Sequence, residues 1–592
     1  MTTTKRHGIF QPKTLALAVA LGTAAPAYAV NFNIGAIEGQ FDSSLSVGAS
    51  WAMDKADPDF VGTPNGGLAF TTTGDDNRLN FKRGETFSKI FKGIHDLELK
   101  YGDTGVFVRG KYWYDFELKD EGRPWKDIDD SNRKEGAQSS GAQILDAFIY
   151  HNYSLGDLPG SVRAGRQVVS WGESTFISNG INSINPIDAA AARRPGAEVK
   201  EALLPVNMLY LSQSLTDQLA MEAFYQLEWD QTIVENCGTW FASDVVADGC
   251  VDYPALSRTQ LAGVLPFTAA LGARGVRVTP EGVMIRRGED RDARDSGQFG
   301  IALRWLADTA EYGAYFMNYH SRTPVVGYQN ASSADILGAF TFAGGALAQP
   351  YLLGTGNYYL EYPEDIKLYG LSFATTLPTG TSWAGEVSYR PNMPIALNTT
   401  FNTGNIARVP AGALASGGIG AALATGGLDN KGYNRREVTQ VQTTFTHFFD
   451  QVMGAGRFTV VGEIGATRVG GLEARTYGRD GAYGHFSDPL SGARYGTSGF
   501  FTPTSWGYRA RGIWDYSNVF AGVNLSPNIS WSHDVEGYGP VFNEGSKAIS
   551  VGVDANYRNT YTASLAYTDF FGGDYNVMTD RDFLALSVGV NF

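Results

Sequence analysis

The sequence predicts an all-β fold, a transmembrane antiparallel β-barrel of about eighteen strands with long outer loops, and three observations carry this prediction. Residues 582–592 form a strand with strictly alternating polarity. Short and long polar connections alternate along the chain. No stretch after the first thirty residues approaches the roughly 18 to 20 unbroken apolar residues of a membrane helix. A chain of this kind crosses a membrane with strands, which pair every backbone group when they close into a barrel.

The last strand shows the alternation most clearly. Successive side chains of a strand point to opposite faces. One face suits lipid and consists of Leu584, Leu586, Val588, Val590 and Phe592, whereas the other suits water and consists of Ala585, Ser587, Gly589 and Asn591. This is the repeating unit of an outer-membrane barrel; the alternative is an edge strand of a soluble sandwich. A terminal Phe592 resembles the signal that the outer-membrane barrel-assembly machinery recognises, so this machinery and outer-membrane lipid are expected partners.

The N-terminus predicts export. Lys5, Arg6 and Lys13 precede an apolar run over 14–25 and the small-residue pattern of 27–29. These features are typical of a secretory signal peptide. We therefore expect residues 1–29 to be a signal peptide, residues 30–592 to form a single barrel domain, and the protein to reside in the outer membrane of a Gram-negative bacterium.

Composition narrows the class of partner. The formal net charge is −14, which argues against nucleic-acid binding because basic patches are needed to replace counterions there. The 72 glycines and 13% aromatic residues suit the tight turns and aromatic girdles of barrels.

Strand alternation also predicts which charges face a wet lumen. In the strand over 106–118, apolar and aromatic residues oppose Arg109, Lys111, Asp115 and Glu117. The same alternation elsewhere adds further lumen charges, namely Glu222, Glu228, Arg304, Glu386, Arg390 and Glu463. A charged face opposite an apolar one is typical of a strand between lipid and water.

The connections set the strand count and orientation. Short turns are expected at 102–105, 155–160, 215–218, 307–310, 377–380, 450–456, 526–528 and 558–560. Bacterial barrels have short periplasmic turns and long outer loops, and counting back from the last strand places every short turn on the periplasmic side. The count is eighteen, with sixteen as the alternative because the segment 508–525 is long and the first strand is isolated.

Two long loops stand out. The loop over 171–205 is rich in Trp, Asn, Pro and Ala, and we expect it to fold into the lumen as a constriction; the alternative is a surface Ω-loop. Its candidate ligand or constriction residues are Trp171, Glu173, Asn185, Asp188, Arg193 and Arg194. The loop over 230–296 is expected outside the barrel.

The outer loop carries both cysteines of the chain, Cys237 and Cys250. An exported protein with two nearby cysteines predicts a disulfide between them, with two free thiols as the alternative. A metal site is not expected, because no His or second Cys pair lies nearby.

Several segments carry a family resemblance. They are 164–174 with the sequence AGRQVVSWGES, 184–188 with INPID, Arg193 and 195–200, then 532–535 with SHDV, 545–547, and 580–583 with DRDF. With them the chain resembles the proteobacterial family catalogued as domain of unknown function 1302 over essentially its whole mature length. The resemblance implies an outer-membrane barrel that handles hydrophobic or lipid-like compounds. It also implies that such a barrel is often accompanied by a periplasmic lipid-carrier-like protein and an inner-membrane exporter.

No motif predicts catalysis or a cofactor. The stretch 171–174 lacks the second glycine of a nucleophile elbow, the histidines lack metal-ligand spacing, and the glycine-rich pieces lack the Lys-Ser/Thr of a phosphate loop. We therefore expect no enzyme. The favoured function is that of a channel or transporter: passive passage, or binding and lateral delivery, of small hydrophobic or amphipathic molecules across the outer membrane. The first alternative is a structural or docking barrel for a periplasmic lipid-carrier partner and an inner-membrane exporter, and the second is an outer-membrane lipid hydrolase.

Charge predicts a weak selectivity. Acids crowd the outer loops, which favours cations at a pore mouth. The opposite selectivity, for anions, is expected if Arg193 and Arg194 form an anion-attracting ring in the constriction. The two arginines have no effect on ion selectivity if they pair with Glu198 or Glu201.

Overall fold

Eighteen antiparallel strands close into one barrel in a computed structural model that describes residues 30–256 and 258–592. The expected signal peptide lies outside the described residues. The barrel strands, numbered in chain order, are β1 Ile37–Ala52, β2 Thr86–Tyr101, β3 Thr104–Asp115, β4 Ser140–Leu155, β5 Leu158–Gln167, β6 Val206–Ser214, β7 Leu219–Gln226, β8 Phe299–Leu306, β9 Ala310–Tyr319, β10 Ile366–Thr376, β11 Ser382–Ala396, β12 Tyr433–Asp450, β13 Arg457–Val469, β14 Thr504–Phe520, β15 Val523–Glu536, β16 Lys547–Tyr557, β17 Tyr561–Phe571 and β18 Phe583–Asn591.

The first and last strands close the ring. Val47 of β1 pairs with Val588 of β18 in an antiparallel register that runs from Ser44 to Ala52. Val588 is 49% exposed on the outside, whereas its neighbour Ser587 is buried on the inside. The transmembrane barrel and the count of eighteen strands are therefore confirmed. The count of sixteen is wrong, because the segment 508–525 contains the end of β14 and the start of β15, which are two separate strands of the barrel.

Short turns connect the strands at one end, as predicted for all but one position. The expected turn at 526–528 is wrong, because Pro527 lies within β15 and pairs with Val553 of β16. Its missing N–H is tolerated because β14 pairs with Leu525 and Asn528 but not with Pro527. The chain turns instead at Ala521 and Gly522, both with positive φ.

Strand β3 also ends earlier than the alternation predicts. The Asp115 carboxylate accepts the backbone N–H of Glu117 at 3.0 Å and that of Leu118 at 3.2 Å, which is helix N-capping. Glu117 therefore lies in the short helix Phe116–Asp120 and not on a lumen face.

Three outer loops fold together into a small cap above the barrel. Its helices are Arg258–Val264, Thr268–Gly272, Ser333–Thr341, Ala348–Thr355, Thr399–Thr403 and Asn405–Leu423, and its short strands are Pro254–Ala255, Val278–Thr279, Gly282–Met284, Arg286–Arg287, Val325–Gln329, Asn357–Glu361 and Asp429–Asn430. Buried Leu271, Ile336, Leu352 and Ile406 belong to its core. The helix Asn405–Leu423 is apolar and long enough to cross a membrane, but it is kinked at Gly418 and packs on neighbouring cap helices.

The α-helices outside the cap are short and lie in the connections between strands: Asp76–Asn80, Phe116–Asp120, Ala189–Ala192, Val199–Ala202 and Pro489–Tyr495. A further strand, Val30–Ile34, forms a hairpin with the start of β1. The predicted disulfide between Cys237 and Cys250 is present and joins two segments of the loop between β7 and β8.

Candidate functional site

The connection between β5 and β6, residues 168–205, folds into the barrel and is called the plug below. The sequence predicts an inward loop at 171–205 with a surface Ω-loop as the alternative, and in the structure this segment lies against inward-facing side chains of the barrel strands. The plug contacts opposite walls of the barrel, since it is bonded to inward-facing side chains of β1–β3 on one side and of β7 and β11–β13 on the other.

Glu463 of β13 anchors the far end of the plug. Its carboxylate accepts the backbone N–H groups of Thr175 at 3.0 Å, Phe176 at 2.6 Å and Ile177 at 2.7 Å. The Glu463 side chain is fully buried. Three N–H donors converging on one carboxylate form an anion-binding concavity of backbone amides.

Glu386 of β11 makes a second anchor of the same kind. Its two oxygens accept the backbone N–H groups of Glu173 at 2.6 Å and of Ile181 at 2.9 Å. Gly172 and Gly180 flank this contact, and a Cβ atom at either glycine would lie within 2.3 Å of a Glu386 carboxylate oxygen. The glycines at these two positions are therefore what allows the plug backbone to approach the barrel wall.

Arg390 of β11 extends this anchor. Its guanidinium donates to the Gly180 carbonyl at 2.6 Å, to the Ser183 hydroxyl at 3.0 Å and to Tyr319 of β9 at 2.9 Å. Arg390 is fully buried. The predicted lumen charges Glu386, Arg390 and Glu463 thus face inward, where they bind the plug.

Lysines of β2 and β3 hold the opposite side of the plug. Lys111 forms an ion pair of 2.8 Å with Asp188, and Lys92 forms one with Glu201. Asp188 also caps the helix Ala189–Ala192 by accepting the Ala191 N–H at 2.8 Å. Lys92 was not predicted from the sequence, although its position on β2 alternates with that of Phe91 and Gly93, and Glu201 was considered only as a partner of Arg193 and Arg194.

Trp171 and Asn185 fix the base of the plug. Trp171 is buried against Phe224 and Tyr315, and its indole N–H donates to Glu222 of β7 at 2.7 Å. The Asn185 side chain accepts the Val169 N–H at 3.0 Å and donates to the carbonyls of Gln167 and Leu204. Asn185 therefore joins the two ends of the loop and presents no free group to a ligand.

Arg193 and Arg194 contact the adjacent outer loops. Arg193 pairs with Glu235 at 2.9 Å, and Arg194 donates to the Gly136 carbonyl at 2.8 Å while it stacks over Trp113. Neither arginine pairs with Glu198 or Glu201. Burial raises the pKa of Glu235, and it also raises the pKa of Glu173 in the plug.

The other predicted lumen charges are distributed as follows. Arg109 pairs with Asp96 and Asp146, and Arg304 pairs with Glu222 and Glu311. Glu228 is not on a strand, because β7 ends at Gln226. It lies exposed in the following loop and accepts a hydrogen bond from the Asn207 amide.

One sector of the inner wall stays clear of the plug. Within the described residues, no hydrogen bond or ion pair joins the plug to β14–β17, and the inner faces of these four strands are called the free sector. Because Ile529, Val551 and Leu565 are exposed on the outside, alternation places inward the residues Arg509, Arg511, Ser530, Ser532, Ser550, Asp554, Ser564 and Thr568.

A cavity of about 580 Å³ lies at the outer end of the free sector and is called the vestibule. Ser532 and Ala548 form part of its wall, so it is continuous with the inner faces of β15 and β16. Aromatic and apolar lining residues include Phe501, Tyr538, Phe570, Tyr575 and Met578, and charged ones include Arg479, Asp480, Asp534 and Lys547. The vestibule therefore offers both apolar surface and charge to a bound molecule.

Comparison with solved structures returns outer-membrane barrels at low similarity. OccAB3 of Acinetobacter baumannii is 9% identical over 94% of this chain and 99% of its own, with a TM-score of 0.42. The outer membrane protein opdK from Pseudomonas aeruginosa is 10% identical over 94% and 98%, with a TM-score of 0.39. The outer membrane channel DcaP of Acinetobacter baumannii is 9% identical over 95% and 100%, with a TM-score of 0.35. These values are too low to support a function.

Sequence comparison gives a more specific result. No curated protein sequence matches the chain. The family model described as "Protein of unknown function (DUF1302)" matches residues 11–592, nearly the whole sequence and the whole of the barrel. The chain belongs to the DUF1302 family.

Proposed function

We propose that the protein is an outer-membrane channel for small amphipathic molecules, which pass from the vestibule along the free sector beside the plug. The observation that carries this proposal is the continuity between the vestibule and a polar strip of wall that the plug does not bind. A barrel of eighteen strands encloses a lumen too wide for its own side chains to fill. The plug occupies part of such a lumen, so the passage that we propose runs along the free sector.

The chemistry of the route favours amphipathic over strongly charged solutes. Apolar and aromatic side chains of the vestibule bind the apolar part of a molecule, while Asp480 and Lys547 offer charges of both signs to its polar end. Below them, the Ser550 and Thr568 hydroxyls lie 3.0 Å apart on the inner wall. Small hydroxyl side chains leave room and exchange hydrogen bonds with a passing polar group.

The test is reconstitution of the purified barrel in planar bilayers and in vesicles loaded with fluorescent amphiphiles. Ala548→Trp would place a large side chain in the vestibule wall, so we expect at least a two-fold loss of conductance and of amphiphile flux. Ala466→Trp is the matched control, because Ala466 is exposed on the outer face of β13. Faster migration of the unheated protein on SDS gels checks that each variant is a closed barrel.

Two results would contradict the proposal. The first is a closed, heat-modifiable barrel that shows neither conductance nor amphiphile flux in any preparation. The second is an Ala548→Trp variant that conducts like the wild type, since this would place the route elsewhere in the lumen.

A further inference from the structure

Three buried carboxylates meet in the outer loops, away from the plug and the vestibule. Asp75 and Asp76 lie at the start of the helix Asp76–Asn80 between β1 and β2, and Asp244 lies in the loop between β7 and β8. Asp75 is 0%, Asp76 4% and Asp244 1% exposed. One oxygen of each carboxylate lies within 4.8 Å of the oxygens from the other two.

The cationic side chains nearby do not balance these charges. Lys126 contacts Asp76 at 2.9 Å and also pairs with Asp252 and Glu281. Within the described ranges no other lysine or arginine forms an ion pair with Asp75, Asp76 or Asp244. One ammonium group thus serves several carboxylates, and a buried carboxylate without a counterion is costly.

The hydrogen bonds of the cluster leave specific oxygens without partners. Asp75 Oδ2 accepts the Gly62 N–H at 2.8 Å and the Asn65 amide at 3.0 Å, and Asp244 Oδ2 accepts the Asp76 N–H at 3.3 Å. The second oxygen of Asp75 and of Asp244, Oδ1, is buried and accepts no hydrogen bond from any residue that the structure describes, and the buried Thr72 hydroxyl has no hydrogen-bond partner among these residues either. Native proteins rarely bury unsatisfied acceptors, and a bound cation would satisfy these oxygens.

We propose that Asp75, Asp76 and Asp244 form a calcium site that ties the β1–β2 loop to the β7–β8 loop over the barrel mouth. Calcium binds oxygen ligands at about 2.3–2.6 Å in flexible geometry, so ligand oxygens around one ion lie up to about 5 Å apart. The separations within the cluster meet this limit. Magnesium demands a near-ideal octahedron at about 2.0–2.1 Å, which is harder to build from three carboxylates of two different loops.

The ion would act on the geometry of the mouth. The loop that carries Asp244 also carries Glu235, which pairs with Arg193 of the plug, and Trp240, which stacks on Phe87 of β2. A calcium ion at the cluster therefore fixes a loop that contacts both the barrel wall and the plug.

Terbium luminescence tests the site with the full-length barrel in detergent. Trp125 is a built-in antenna, because its indole N–H donates to Asp76 at 2.8 Å. After treatment with EDTA we expect tryptophan-sensitised terbium emission that calcium displaces at about 10⁻⁴ to 10⁻³ M, the range of extracellular calcium modules. Trp125→Phe should lower the emission several-fold without a matching loss of calcium affinity.

The isosteric variants Asp75→Asn and Asp244→Asn should each weaken calcium binding at least ten-fold, whereas Asp335→Asn, which alters an acid of the cap helix Ser333–Thr341, should leave it unchanged. Thermal unfolding gives a second readout that does not depend on luminescence. We expect calcium to raise the melting temperature of the wild type but not that of Asp244→Asn, which should melt higher than the wild type in EDTA because a buried repulsion is removed.

Wild-type protein that shows neither displaceable terbium emission nor a calcium-dependent melting temperature would overturn the proposal. So would displacement by magnesium at lower concentration than by calcium, since the site would then prefer the smaller ion.

Discussion

Glu463 of β13 and Ile177 of the plug are 286 residues apart in the chain, and their carboxylate and backbone N–H meet at 2.7 Å. With the N–H groups of Thr175 and Phe176 on the same carboxylate, this buried charge determines where the tip of the plug lies. A lumen carboxylate of this kind holds the plug in place and does not present its charge to a passing solute.

Glu463→Gln should loosen the tip of the plug. The neutral amide keeps one acceptor and turns an N–H₂ group toward backbone N–H donors, and hydrogen bonds to a charged acceptor contribute about 1.5–3 kcal/mol each. We expect larger and noisier single-channel currents, with heat modifiability of the barrel retained. Glu311→Gln is the control, because Glu311 pairs with Arg304 and not with the plug. Currents identical to wild type in Glu463→Gln would show that this anchor does not control the opening.

The double variant Arg193→Ala, Arg194→Ala should leave ion selectivity unchanged. Arg193 already pairs with Glu235, and Arg194 is packed over Trp113 with its N–H on a backbone carbonyl, so neither forms a free anion-attracting ring. Reversal potentials in a planar bilayer under a salt gradient measure this. A shift of the double variant toward cations would restore the ring hypothesis and place the filter at these residues.

Strand alternation predicted the barrel and the inward direction of the charged faces because the period of two is a local property of the sequence. It did not reveal what those charges contact. Glu386 and Glu463 were expected to line water, yet each binds plug backbone more than 200 residues away in sequence. Such pairs depend on how a long loop closes in space, and a single sequence carries no local signal for that.

Errors at the strand ends have a different origin. Asp115 fits the strand pattern of β3 equally well as a lumen residue or as a helix cap, and only the turn that follows decides between them. Pro527 is typical of a turn, but a barrel strand accepts it where one neighbour does not pair with it. The buried cluster of Asp75, Asp76 and Asp244 was invisible because its members come from two loops.

Removal of the disulfide should affect the outer loop and leave the barrel unchanged. Cys237 and Cys250 lie 13 residues apart, and the chain-entropy model gives about 3 kcal/mol for closing a loop of about 15 residues. We expect Cys237→Ser with Cys250→Ser to speed proteolysis within 230–296 several-fold, with unchanged gel mobility of the unheated barrel. Loss of heat modifiability in this variant would mean that the loop is required for barrel formation.

Arg511 is the residue whose charge we expect a passing ion to sense. It lies on the inner face of β14 between Val461 and Ser530, and within the described residues it forms no ion pair. Its neighbour Arg509 is neutralised by Asp534 at 2.6 Å. A partly buried charge on the inner wall is screened less than an exposed charge on the outer loops, where the Debye length is about 8 Å at physiological ionic strength.

Arg511→Ala should therefore shift the reversal potential toward cations, and Arg511→Lys should retain the wild-type value. Arg509→Ala gives a second comparison, because it exposes the Asp534 carboxylate next to the vestibule and should increase cation preference even with Arg511 in place. Both shifts should shrink at 1 M salt, where the Debye length falls to about 3 Å. Unchanged selectivity in Arg511→Ala, together with a block by Ala548→Trp, would contradict this prediction. Ions would then pass through the vestibule without passing close to β14, and the acids of the outer loops alone would set the preference for cations.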